Sequence, residues 1–123
     1  MIKILAIGAG GFAGAILRYW ISGWVYAFTQ SDFPIGTLVV NAAGSFLLGL
    51  FMGYSEQLIL SPTLKAMITI GLLGAFTTFS TFSYETVMLL RVGAPMKAFL
   101  NIVLSILLGL TLAFVGLVVG KNI

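Results

Sequence analysis

The sequence predicts an all-α membrane protein, a single domain over residues 1–123 made of four transmembrane helices. Three observations carry that prediction. Of the 123 residues, 60% are hydrophobic and 7% are charged, whereas a soluble domain carries about a quarter charged residues, so lipid has to solvate most of this surface. Apolar stretches recur at the length of roughly 20 residues that a bilayer's hydrocarbon core demands of a helix. Polar and turn-forming residues gather in three short clusters that divide the chain into four.

The first helix is expected over about 4–28. Lys3 followed by an apolar stretch resembles a secretion signal, but the stretch runs past Trp20 without a small-residue cleavage site, so it reads as a retained helix. It ends in the polar turn containing Thr29, Gln30, Ser31, Asp32 and Pro34. The second helix is expected over about 35–60. The chain turns polar again between Glu56 and Lys65, where Ser61 and Pro62 supply an N-cap and first-turn signal for a third helix over about 63–90. Arg91 to Lys97, with Gly93 and Pro95 between, forms the last turn, and a fourth helix over about 96–120 is closed by Lys121. No loop exceeds about ten residues, so functional groups must lie in or near the bilayer. Glycine pairs four residues apart (Gly10 with Gly14, Gly49 with Gly53, Gly116 with Gly120) predict helix backbones in close approach.

The opening from Gly8 to Gly14 also matches the glycine pattern of a dinucleotide-binding turn, with Asp32 at the spacing of a ribose contact. That fingerprint needs a second strand before the acid and further strand–helix units after it. Ala15 onward reads as membrane helix instead.

Cysteine and histidine are both absent, which excludes disulfides, thiolate chemistry and imidazole or thiolate metal sites. The net charge of +3 comes from scattered side chains with no basic run to follow a nucleic-acid backbone, so no nucleic-acid partner is expected. Lys3, Lys65 and Lys121 fall on the side of the termini, and Arg91 and Lys97 on the other, joined by Arg18 if it snorkels. Such a near-balance allows insertion in either orientation. Two inverted copies would form an antiparallel homodimer in the lipid, and four helices of this size scarcely enclose a pore alone.

The informative residues are the polar ones that a membrane penalises. Arg18 and Glu85 are the charges deepest inside helices; a structural role is the first expectation, Arg18 reaching the interface and Glu85 capping or pairing with a neighbouring helix, and a direct functional role the second. Helix three carries the run Gly74-Ala75-Phe76-Thr77-Thr78-Phe79-Ser80-Thr81-Phe82-Ser83-Tyr84-Glu85, in which hydroxyl-bearing residues beside glycines weaken the helical ladder. An interrupted helix exposes carbonyls, and two such breaks meeting on a dimer axis would offer a cage of hard oxygen ligands to an alkali cation. Phe79 and Phe82 share a helix face, either as core packing or with ring edges presented to an anion. Thr37, Asn41 and Ser45 repeat every four residues on helix two, and Asn101 and Ser105 do so on helix four. Both stripes read either as a polar track or as hydrogen bonding between helices.

At the run Gly74–Glu85, together with Gly14-Ala15-Ile16-Leu17-Arg18-Tyr19 and Gly36-Thr37-Leu38-Val39-Val40-Asn41, the chain resembles the Fluc (CrcB) family of fluoride channels over essentially its whole length. The resemblance implies a dual-topology antiparallel homodimer in the cell inner membrane, with a broken third helix, that exports cytoplasmic fluoride passively and catalyses no reaction. It implies a fluoride pathway past Phe79, Phe82, Asn41, Thr37, Ser105, Ser80 and Thr81, with Arg18 adding positive potential at the vestibule. It further implies a structural sodium ion, not transported, on the backbone carbonyls of Gly74 and Thr77. Gly109 stands where a pore-lining serine would align. A proton-coupled exporter of the small multidrug-resistance type is the alternative, but that design needs a carboxylate in the first helix and this chain has none there. A purely structural subunit, its polar groups merely joining helices, is a third reading.

Overall fold

The computed structural model describes every residue from Met1 to Ile123. Its elements are α1 (Ile2–Thr29), α2 (Ile35–Ser55), α3 (Pro62–Ala66), a π-helical segment (Met67–Leu73), α4 (Gly74–Phe76), α5 (Phe79–Arg91) and α6 (Pro95–Asn122). There is no strand. Four stretches are long and apolar enough to cross a membrane, namely Ile2–Thr29, Ile35–Ser55, Pro62–Arg91 and Pro95–Asn122. Because α1 runs unbroken through Gly8–Gly14, the strand, turn and helix of a dinucleotide site are excluded.

Local chemistry sets the helix ends. Gln30 closes α1 in the left-handed conformation (φ 43°), its N–H bonded to the Tyr26 carbonyl at 2.9 Å, the geometry that satisfies a terminal carbonyl where the chain must leave the helix. Ser61 caps α3 by accepting from the Leu64 N–H at 3.2 Å, and Pro62 follows at the first helical position. Helix α2 stops at Ser55, short of the Leu60 expected from hydropathy. Its last turn is taken over by Glu56 and Gln57: Gln57 donates from Nε2 to the carbonyls of Gly120 and Lys121 at 3.3 and 2.8 Å, and Glu56 pairs with Lys121 at 3.1 Å. These contacts cap α6, and they hold the chain out of the helix while exposed Leu58 and Ile59 carry the apolar character that hydropathy registers.

Backbone contact holds the spans together. A Cβ on Gly49 would overlap the Ala113 carbonyl, and one on Gly116 would overlap the Phe46 carbonyl, so α2 and α6 touch along the face that holds Gly49, Gly53, Gly116 and Gly120. Gly14 seats α1 against the Leu72 carbonyl in the same way, while Gly71 opposes Ile7. Lipid is as apolar as leucine, so association depends on such close packing and on hydrogen bonds rather than on burial from water. The backbone of α5 neighbours only α6 and α2.

Gly116→Val is expected to force α2 from α6 and destabilise the fold by about 1–3 kcal/mol, read as a lowered melting temperature in detergent. Gly8→Ala, whose added carbon meets nothing within 4 Å, should melt with the parent.

Candidate functional site

The third span is interrupted between α4 and α5. Thr77 (φ −82°, ψ 159°) and Thr78 (φ −152°, ψ 111°) are extended, so the helical ladder lapses there. Asn41 on α2 replaces it: its Oδ1 accepts from the Thr78 N–H at 2.7 Å, and its Nδ2 donates to the Thr78 carbonyl at 3.0 Å. One side-chain amide thus satisfies both polar groups of a buried residue, whose orphaning costs about 1–3 kcal/mol per group. The second Nδ2 hydrogen remains free to donate.

Each half of the broken span is finished by its own chemistry. Thr78 caps α5, accepting from the Thr81 N–H at 3.2 Å and donating to Thr81 Oγ1 at 2.9 Å. Arg18 turns inward and donates from Nη1 to the Thr77 carbonyl at 3.2 Å, setting a positive group at the negative end of the α3–α4 stretch. The Thr78 N–H that a continuous helix would give to the Gly74 carbonyl goes to Asn41, which releases that carbonyl. No group of three or more acidic, histidine or cysteine residues exists to hold a metal. A cation here would have to sit on neutral oxygens.

Two cavities meet at Thr78. The first, of about 290 Å³, is lined by Asn41, Ser45, Thr77, Thr78, Phe79, Phe82, Ser105 and Gly109 among others, with no charged side chain. The second, of about 220 Å³, is lined by Arg18, Ser22, Thr37, Thr78 and Thr81 among others. The sequence-predicted site residues divide accordingly. Phe79, Phe82, Asn41, Ser105 and Thr77 line the first cavity, Arg18, Thr37 and Thr81 the second. Ser80 and Gly74 line neither; both are exposed on the protomer, with Ser80 Oγ 3.4 Å from Thr78 Oγ1. The rings of Phe79 and Phe82 stand 5.5 Å apart at 46°, and Phe79 is 79% exposed.

The two polar stripes do not run as continuous tracks. Thr37 donates to Glu85 Oε1 at 2.8 Å, alongside Tyr26 at 3.0 Å, so Glu85 is an interhelical acceptor joining α1, α2 and α5. Ser45 bonds back to the Asn41 carbonyl at 2.7 Å. Asn101 donates to Thr86 Oγ1 at 2.9 Å and is 2% exposed, so hydrogen bonding between helices accounts for it, and only Ser105 of that stripe reaches a cavity. At Gly109 a Cβ would stand 3.8 Å from Ser45 Oγ, which sets a hydroxyl from α2 beside the position where α6 has none. Thr78 is not among the path residues that the sequence predicts, and Ser45 is expected only as part of the polar stripe on helix two. A threonine three residues before Thr81 at a helix start is the available signal for Thr78.

Comparison with known proteins agrees over the whole chain. The family profile described as CrcB-like protein, Camphor Resistance (CrcB) matches residues 5–117. A relative from a Nitratiruptor species, named fluoride-specific ion channel FluC, is 47% identical over 97% of this chain and 92% of its own length. One from Methanosarcina acetivorans, named fluoride-specific ion channel FluC 1, is 50% identical over 100% and 94%. The FluC protein of Shewanella amazonensis is 49% identical over 94% of each chain.

Asn41→Ala is expected to leave the Thr78 N–H and carbonyl unpaired and to destabilise the fold by about 2–6 kcal/mol. Thermal unfolding in detergent measures this, and a melting temperature equal to the parent's would show that the break does not depend on the amide.

Proposed function

Since this chain belongs to the CrcB family, we propose that it is a fluoride-specific ion channel, multi-pass in the cell inner membrane, through which cytoplasmic fluoride leaves passively and its toxicity is reduced. It performs no enzymatic chemistry. The observation that carries the reading is the uncharged cavity at the break, lined by Asn41 with one amide hydrogen to spare, by Ser105 with its hydroxyl unpaired, by Phe79 and Phe82, and by Thr78 at the N-terminus of α5. Fluoride is small and tightly hydrated, so a selective path must replace its water with several modest donors and leave no deep trap. A positive half-helix end pointing at an anion is the membrane form of a helix-terminus anion site. Arg18, in the adjoining cavity with Thr37 and Thr81, adds positive potential without lying along the whole route. Ser80 is proposed to join the path where a second copy meets this one.

The proposed assembly is an antiparallel, dual-topology homodimer, each copy with a broken third helix. Supporting it, exposed Phe79, Ser80, Thr81 and Gly74 share the protomer's surface around the break, and a hydroxyl or released carbonyl facing hydrocarbon is costly. An inverted copy covers them and turns half-open cavities into enclosed ones. A structural sodium ion is proposed on the carbonyls of Gly74 and Thr77 from both copies. Gly74's carbonyl has lost its helical partner, and Thr77's keeps a second lone pair beside its bond to Arg18. Bound there, sodium would supply a fixed positive charge that offsets the facing C-terminal ends of α4.

Purified protein in liposomes is expected to release fluoride rapidly without a proton gradient. Phe79→Ile and Phe82→Ile should each lower that rate by roughly tenfold, the equivalent of about 1.4 kcal/mol at the barrier, with the dimer intact by size-exclusion chromatography. Unchanged rates in both variants would remove the proposed path, and proton-driven organic cation movement without fluoride flux would favour an exporter. Replacing sodium with N-methylglucamine should lower both the melting temperature and the flux. Identical behaviour in the two cations would sink the carbonyl cage while leaving the anion path standing.

A further inference from the structure

Asn101 and Thr86 form a relay that ends on the residue whose ring lines the cavity. Asn101 Nδ2 on α6 donates to Thr86 Oγ1 at 2.9 Å, and Thr86 Oγ1 donates in turn to the Phe82 carbonyl at 2.7 Å. Asn101 is 2% exposed and Thr86 7%, and neither lines either cavity, so a direct contact with a permeating ion is not their role. Leu89 on α5 and Ala98 on α6, two elements that pack together, are apolar and buried. Smooth contacts of that kind tolerate sliding. A single buried amide does not, because every other register leaves it unpaired, which is how one asparagine specifies alignment between packed helices.

The register matters because α5 is a half-helix. Cut from α4 by the extended pair Thr77 and Thr78, it has backbone neighbours only on α2 and α6. The α6 face that carries Asn101 continues one turn on to Ser105 and another to Gly109, both lining the cavity with Phe82. A shift of α5 along α6 therefore moves the Phe82 ring past Ser105.

We propose that Asn101 is a positioning residue for ion conduction: acting through Thr86, it locks α5 in register on α6 and so holds the Phe82 ring opposite Ser105. The inference rests on the channel reading. Fluoride efflux from liposomes separates the two, since a parent protein without flux overturns the channel reading and this one with it. With a conducting parent, Thr86→Val, which keeps the shape and removes the relay hydroxyl, is expected to reduce flux about threefold to tenfold, in line with modest hydrogen bonds between membrane helices. Thr86→Ser, which retains the hydroxyl, should conduct as the parent does.

Asn101→Ala should reproduce the Thr86→Val loss, and the Asn101→Ala, Thr86→Val pair should lose no more than either alone. Were the bond purely stabilising, its loss would lower the melting temperature in detergent and leave flux per folded dimer untouched. That result, equal flux in Thr86→Val and Thr86→Ser, or additive losses in the pair, overturns the positioning role. Where Asn101→Ala yields no dimer, the Thr86→Val and Thr86→Ser comparison decides alone.

Discussion

The two-point bond between the Asn41 side chain and the Thr78 backbone is the constraint on which the rest of the molecule depends. A break in a transmembrane helix is tolerable only if its freed backbone groups find partners, since no water is at hand. Asn41 supplies an acceptor at 2.7 Å and a donor at 3.0 Å to one residue, so the span can leave helical geometry in the middle of the bundle. The interruption in turn creates an α5 N-terminus, a released Gly74 carbonyl and two cavities that meet at Thr78. Without that amide the Thr78 N–H and carbonyl would stand unpaired at the break.

The small residues serve the same end by a different route. Glycine faces let α2 lie on α6 and α1 on the π-helical segment with backbone against backbone, so two firm helix pairs stand where large side chains would have kept them apart. In lipid, that proximity is the principal source of cohesion. It leaves α5 as the loosely held element, joined to its surroundings by a few polar bonds: Thr37 and Tyr26 to Glu85, Asn101 to Thr86, and the cap at Thr78. The aromatic rings of Phe79 and Phe82 thus ride on the part of the fold whose position is set by hydrogen bonds.

Polar side chains inside the bundle divide into those already committed to the protein and those with capacity to spare. Glu85 Oε1 and Thr86 are spoken for, while Ser105 and one hydrogen of Asn41 are not. Arg18 is an intermediate case, one nitrogen bonded to Thr77 while the residue lines the second cavity. An anion path assembled from such partial capacities binds weakly at each step, and weak, repeated binding suits conduction.

By itself the sequence determined the number of spans, their approximate limits and the glycine seams, because hydropathy, turn residues and four-residue spacing are properties of the chain read along its length. It also marked Thr37, Asn41, Phe79 and Phe82 as residues in an unusual place for a membrane. It could not say that Thr37, Asn41 and Ser45, one stripe by spacing, turn to three different partners, nor that Asn101 is sealed in a helix seam while Ser105 one turn on meets a cavity. Only the tertiary structure decided those matters, since a hydroxyl or amide has similar local chemistry whether it bonds another helix or an ion. What distinguishes the two is which neighbour the packing brings within hydrogen-bonding distance.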